Sequence, residues 1–398
     1  MFKALYFYEM KKIWGRKLIW IVLVIMAAVV VVSAYSPMTG NAYTNGKVSY
    51  SHKEIQERKM TNSRALSGRI LGNVLLNEIH EAYEKQPVGV EQFTLTEEYE
   101  KYLIPLEPVI NYVWDIMDAY QGSARLFPLD ISEEELYEAR LFCVEERWTS
   151  NFLTAGEREY WEKKEARLDK PFIWQYAGGY ERIMENIYTW IVMAVLMIAI
   201  CFSKIFSIEH SQKTSPLILS SRLGRGILYY AKIAAGITSS LILGMVVFGL
   251  GASVIFGIWG FDGGNGAVQM FIPFCSESLS MGEAVLICLW VLFMGIVLST
   301  VFTMVLSEKC KNGVGTMSIV VGILILSGFL YIPEQYRVVS QLWNMIPSNM
   351  TAVWSIFDVW LLPVFGNYFT MWQIVPFIWL FLSVALVLYG KRIYGKIL

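Results

Sequence analysis

The sequence predicts an all-α polytopic membrane protein with a mostly helical domain inserted after its first span. Three observations carry that reading. Of the 398 residues, 55% are hydrophobic and only 17% are charged, where a soluble globular chain averages about 25%. The apolar residues are gathered into six blocks close to the roughly 20 residues that cross a bilayer core. The basic residues sit on alternate connections between those blocks.

Residues 1–17, MFKALYFYEMKKIWGRK, read as a cytoplasmic elbow helix. Leu5, Tyr6, Met10, Ile13 and Trp14 fall near one stripe, with Lys3, Lys11, Lys12 and Arg16 off it. That is the composition of an interfacial helix beside anionic headgroups. Gly15 favours a bend before the first span, 18–35. The apolar run of that span exceeds the roughly 7–15 residues of a signal-peptide core, so it reads as a retained anchor.

The remaining spans are expected at 187–206, 227–256, 284–306, 314–332 and 372–390. Fifteen basic residues against three acids (Glu9, Glu209, Glu308) fall on residues 1–17, 204–232, 307–313 and 391–398. The short connections 257–283 and 333–371 carry one basic residue, Arg337, and five acids. By the positive-inside rule both termini are cytoplasmic, as six spans require. The tail 391–398 and the turn 307–313 then lie inside.

Residues 36–186 are expected outside the membrane, with seventeen Lys and Arg against twenty-six Asp and Glu. Their Leu, Ile, Tyr and Trp content argues for a folded domain. Thr94-x-x-Glu97, Ser132-x-x-Glu135 and Thr154-x-x-Glu157 each fit a capping box that starts a helix. Leu136, Ala139, Leu141 and Val144 recur at near-helical spacing. Asn45-Gly46 suits a hairpin turn, and the last helix is expected to run from about Pro171 into the second span. The acids at 133–135 read as a helix start rather than a cation site.

The spans hold no Asp, Glu, Arg or His in their middles, which argues against a proton-coupled transporter. Gly236, Ser240 and Gly244 recur at helix-packing spacing, either within the subunit or between protomers. His52, His80 and His210 lie far apart and the five cysteines form no CxxC, so no metal site is expected. Cys143 and Cys275 both fall on the outer side, which leaves a disulfide between them open. The chain has no GxxxxGK[ST] phosphate loop, no HExxH and no GxSxG, and is read as non-catalytic.

The connection 207–226 is longer than the roughly 2–8 residues that join helices tightly. FSIEHSQKTS suits a short polar helix that Pro216 interrupts, and Arg222 and Arg225 can meet headgroups. With Glu209, Thr214, PLILSSRLGR and Lys232 leading into the third span, the chain resembles the permease subunit of ABC-2-type ABC transporters. LWNMIPSNMTAVWSIFDVWLLPVFGNYF matches the helical hairpin those subunits carry between spans five and six. NGKVSYSHKEIQERKM is similar to the opening of the large extracellular domain in a Gram-positive subgroup. Pro216 departs from the family pattern.

The resemblance implies a plasma-membrane exporter of an amphipathic, peptide or lipid-like substrate. Its ATP and magnesium would be held by a separate cytoplasmic ATPase, with no cofactor in this chain. It also implies a second permease copy or a homologous one, and no nucleic-acid partner. The loop would be a coupling element, with Glu209, His210, Gln212, Lys213 and Thr214 docking the ATPase. Lys11, Lys12, Arg16, Lys17, Arg222 and Arg225 would anchor the chain at the membrane surface. The size of 36–186 keeps open a second reading, an ATPase-driven mechanotransducing or sensory complex that moves no substrate.

Overall fold

The computed structural model describes residues 1–44, 47–87, 96–122, 130–224 and 226–394. Helix α1 (Phe2–Trp14) is set off from α2 (Lys17–Tyr35) by Gly15 and an extended Arg16. Its apolar stripe is turned inward: Ile13 is buried and Tyr6, Met10 and Trp14 pack on the central core, against α11 (Ile227–Trp259). Phe2, Phe7 and Tyr8 are the aromatic side chains left exposed. Lys11 and Lys17 are exposed, while Lys12 and Arg16 are half-buried.

Five helices are long and apolar enough to cross a membrane: α2, α8 (Gly178–Phe202), α11, α12 (Met281–Cys310) and α17 (Met371–Tyr394). A sixth apolar helix, α13 (Gly313–Phe329), has 17 residues. At 1.5 Å per residue it is about 26 Å long, slightly short of a bilayer core. Helix α8 is the hub. Trp190, Ile191, Ala194 and Ile198 are fully enclosed, and it packs on α2, α11, α12 and α13.

The expected packing stripe of α11 is used inside the chain. A Cβ on Gly236 would lie 2.3 Å from Met304 Sδ, and one on Gly244 would lie 3.1 Å from Ile296. The Ser240 hydroxyl accepts from Thr300 at 2.9 Å. All three therefore serve the α11–α12 contact within the chain.

The insert starts with an antiparallel hairpin, β1 (Asn41–Thr44) and β2 (Lys47–Ser51). The Asn45-Gly46 turn itself lies outside the described residues. Ser51 and Glu54 form a reciprocal capping box that launches α3 (His52–Leu66). Then follow α4 (Asn73–Glu84), α5 (Glu107–Gln121), α6 (Glu133–Ser150) and α7 (Ala155–Glu165).

The capping residues differ in their use. Thr154 donates its N–H and hydroxyl to the Glu157 carboxylate, each at 2.8 Å, as its motif requires. The Ser132 hydroxyl caps the Glu135 N–H, but Glu133 exchanges hydrogen bonds with Asn73 at the start of α4. Thr94 lies outside the described residues. Leu136, Ala139 and Val144 are buried in α6, and Arg140, Cys143 and Trp148 join them on that face.

Two expectations fail in this region. The helix into the second span does not begin near Pro171. Residues 172–174 pair antiparallel with 69–71, Leu71 N–H to Phe172 O and Trp174 N–H to Arg69 O, both at 2.8 Å. This pairing satisfies the backbone in place of helical bonds, so α8 starts only at Gly178. Residues 333–371 are not a plain helical hairpin either. Short helices α14 (Arg337–Asn344), α15 (Pro347–Met350) and α16 (Val353–Ile356) lead into a second β-hairpin. Its strands are β3 (Leu361–Val364) and β4 (Asn367–Thr370), turned by Phe365 and Gly366 at positive φ.

The connections clasp the insert. Arg140, fully buried, reaches the Glu165 carboxylate at 2.6 Å and the carbonyls of Pro273 and Cys275 at 2.7 and 3.0 Å. Burial works against a charged Glu165. The Arg140 fork, with Lys170 and Ser276, outweighs it and holds the carboxyl below its usual range. Lys164 pairs with Glu277, Arg337 with Glu157, and the Trp161 indole donates to Val359 O at 2.7 Å. Cys143 and Cys275 are both buried free thiols.

Candidate functional site: a buried ionic cluster at the loop end

The connection from α8 to α11 folds as two short helices, α9 (Ser207–Ser211) and α10 (Ser215–Ser220). Pro216 does not break the first of these. It sits in the first turn of α10, where a missing N–H costs nothing. The break falls at Gln212–Thr214. Lys213 takes a left-handed φ of 55°, and the Thr214 N–H returns to Glu209 O at 3.0 Å.

Glu209 points inward. It is only 5% exposed and pairs directly with Lys232 of α11, itself 1% exposed. Lys12 of α1 stands 3.6 Å from the same carboxylate and 3.9 Å from Glu9. His210 meets Glu308 of α12 at 3.1 Å. The other Glu308 oxygen is buried without a partner among the described residues. The Ser307 hydroxyl donates to Ser203 O at 2.5 Å and accepts from the Ser207 N–H at 3.2 Å. Gly313 opens α13 against this turn, where a Cβ would lie 2.5 Å from Lys204 Cγ.

An aromatic floor completes the cluster. Phe206, Tyr229 and Tyr394 meet in tilted and edge-to-face contacts at 5.4–5.7 Å, and the Lys232 ammonium lies 5.2 Å over the Phe206 ring. Tyr229 donates to Val387 O of α17 at 2.9 Å. Residues of α1, α9, α11, α12 and α17 thus meet at one point. Breaking a buried pair strands a charge in a poorly solvated place, so these elements are held as one body.

The five expected docking residues therefore separate. Gln212 and Lys213 are exposed, Thr214 and His210 are half-buried, and Glu209 is internal. The outward face of the loop carries Gln212, Lys213, Leu217, Ser221 and Arg222, with Leu217 74% exposed. Arg225 lies outside the described residues.

Glu9, Lys232 and Glu308 were not read as site residues from the sequence, and Lys12 was read as a surface anchor only, yet a signal was there. Glu9, Glu209 and Glu308 are the only acids on the basic side of the chain. All three lie in this cluster, since an acid kept among fifteen basic residues is one with a partner to meet. Among the described residues, no three His, Cys, Asp or Glu side chains converge to hold a metal.

No family model, no curated protein and no solved structure matches the chain.

Proposed function

We propose that the chain is the permease subunit of an ABC exporter that moves an amphipathic, peptide or lipid-like substrate and is driven by a separate ATPase. The observation that carries this reading is the construction of the loop. One face of α9–α10 is tied through Glu209–Lys232, Glu209–Lys12 and His210–Glu308 to three helices of the membrane bundle. The opposite face is exposed and carries Lys213, Leu217 and Arg222. A push on that outer face passes to the bundle as rigid-body motion, because packed elements shift as units. Ser211–Arg222 rather than Glu209 would make the ATPase contact.

Six spans complete the reading, with α13 as the fifth. Helix α12 ends beside His210, and α13 then starts at Lys204 and reaches Tyr188 and Ser348 at the insert end. Helix α17 returns from the β3–β4 hairpin to Phe206. That path supports an even number of crossings, with α1 and the end of α17 on one cytoplasmic side of a plasma membrane. The second permease copy has no residues assigned, since Gly236, Ser240 and Gly244 are occupied within the chain.

The test is reconstitution of the chain with whatever ATPase co-purifies with it. ATP-dependent efflux of a fluorescent amphipathic peptide or lipid from vesicles supports the reading. ATP hydrolysis with no efflux of either class refutes export. The clasp of Arg140, Lys164–Glu277 and Arg337–Glu157 favours a second reading, in which span motion is passed to the insert to regulate a partner. Hydrolysis that moves a spin label on α6 relative to α12 without efflux would select it.

A further inference from the structure

A cavity of about 330 Å³ lies among the spans, walled by α8, α12, α13, α15 and α17. Val195, Leu298, Phe302, Leu324, Pro347 and Leu382 are part of its lining. Among the described residues no charged side chain reaches it, and its hydroxyl side chains are Ser299 and Ser348. The Ser348 hydroxyl is already paired with that of Ser327 at 2.7 Å. A water needs about two to four polar partners, whereas an apolar cavity of roughly 150 Å³ stays dry and takes an apolar guest. This cavity is about twice that size.

Its depth decides which part of a lipid stands beside it. Leu298 and Phe302 lie twelve and eight residues before Cys310, the end of α12. Leu382 and Leu386 lie twelve and eight residues before Tyr394, the end of α17. Val320 and Leu324 lie seven and eleven residues after Gly313, the start of α13. These three helix ends gather at the buried ionic cluster. At 1.5 Å per residue the cavity stands about 10–18 Å in from that end, near the centre of a hydrocarbon core of about 30 Å. Pro347 roofs it, 3.2 Å from where a Cβ on Gly295 would lie. The Trp379 indole donates to Met345 O at 2.8 Å and holds that roof in place.

The mouth lies between α13 and α17. Both helices pack on α12, and their lining residues Ile323 and Leu382 are 37% and 43% exposed. Beside them the exposed surface continues as Ile325 and Leu326 of α13 and Phe381 and Leu388 of α17. The apolar lining thus runs without a break into the outer surface of the bundle.

We propose that this cavity holds one acyl chain of a membrane lipid, entering sideways between α13 and α17. At this depth the neighbouring medium is hydrocarbon, and the lining offers no charge to a headgroup. A chain restores the dispersion contacts that the walls of an empty void lack. The inference rests on α13 crossing the membrane as the fifth span, and not on export.

Photolabelling of the full chain in nanodiscs tests the site, using a phosphatidylcholine with a diazirine near the end of one chain. Mass spectrometry should find adducts on Leu298 or Phe302 inside the cavity, as well as on Ile325 and Phe381 outside it. Ser299→Phe grows into the void and should cut the interior adducts by about 10-fold or more, since a filled cavity has no room for a guest. Labelling of Phe381 should not change. If Ser299→Phe is not monodisperse, Leu382→Trp at the partly exposed mouth takes its place, with the same expected loss. Adducts on Ile325 and Phe381 with none on Leu298 or Phe302 overturn the proposal and leave the spans standing; the void is then closed or covered by a second copy. Interior adducts that the cavity-filling variant leaves undiminished overturn it as well. Adducts on Phe381 with none on Ile325, Leu298 or Phe302 take α13 out of the membrane and overturn the six-span reading together with the proposal.

Discussion

Removing the ammonium of Lys232 puts the buried cluster under its most direct strain. In Lys232→Met the stem is replaced by a side chain of similar length, so packing against Phe206 is largely kept. Glu209 then remains almost fully enclosed, with Lys12 at 3.6 Å as its nearest cation. Removing one member of a buried pair typically costs about 3–5 kcal/mol. Lys12 is partly solvent-exposed and can shift, so the lower end, about 3 kcal/mol, is expected. That is roughly 100-fold in the unfolding equilibrium. The double replacement Lys232→Met, Glu209→Leu removes both charges and should recover most of the loss, giving a coupling of about 2 kcal/mol or more. Denaturant unfolding in detergent, run as a double-mutant cycle, measures both. A single-variant loss below about 0.5 kcal/mol, or a double variant no better than the single, would show that Glu209 is not held by Lys232 and that the loop is not tied to α11.

Three further outcomes follow from the packing and the charges. A Cβ on Gly251 would lie 2.2 Å from Val30 Cγ1, so Gly251→Ala should destabilise by about 1–3 kcal/mol; Gly249 has nothing within 4 Å, so Gly249→Ala should be neutral or stabilising by up to about 1 kcal/mol, read by thermal unfolding. Arg140→Lys cannot reproduce a guanidinium fork that serves Glu165, Pro273 and Cys275 together, so limited proteolysis of the insert should accelerate in Arg140→Lys nearly as much as in Arg140→Met. Burial pushes the Asp358 carboxyl up to about 6 despite a hydrogen bond from the Val359 N–H, so its contribution is fully present below about pH 4 and is lost as pH rises through 6; Asp358→Asn should raise stability at pH 7 and leave it unchanged near pH 4.

The helical, membrane-spanning character was legible because it rests on composition alone: long apolar runs are a local property. The break at Gly15 and the capping box at Thr154 are equally local. The start of α8 was not, because residues 172–174 pair with 69–71, a partner a hundred residues away. The β3–β4 hairpin was hidden for a different reason: Phe365 occupies a left-handed position usually given to Asn or Gly, and nothing in its identity announces the turn. Within the loop, exposure could not be read from polarity. Glu209 and Lys213 look alike in sequence as charged residues of a polar segment, yet one is enclosed by Lys232 and Lys12 and the other faces outward. Pairing across α1, α9 and α11 decides which is which.

The outer face of α9–α10 is where the account is most directly tested. Leu217→Asp and Lys213→Glu alter exposed side chains and should leave thermal unfolding unchanged. If this face receives the ATPase, affinity-tagged chain carrying both substitutions should lose co-purifying ATPase at least 10-fold, as expected when an apolar contact and a charge are both reversed at an interface. Undiminished ATPase recovery with both substitutions in place would contradict the coupling role of the loop.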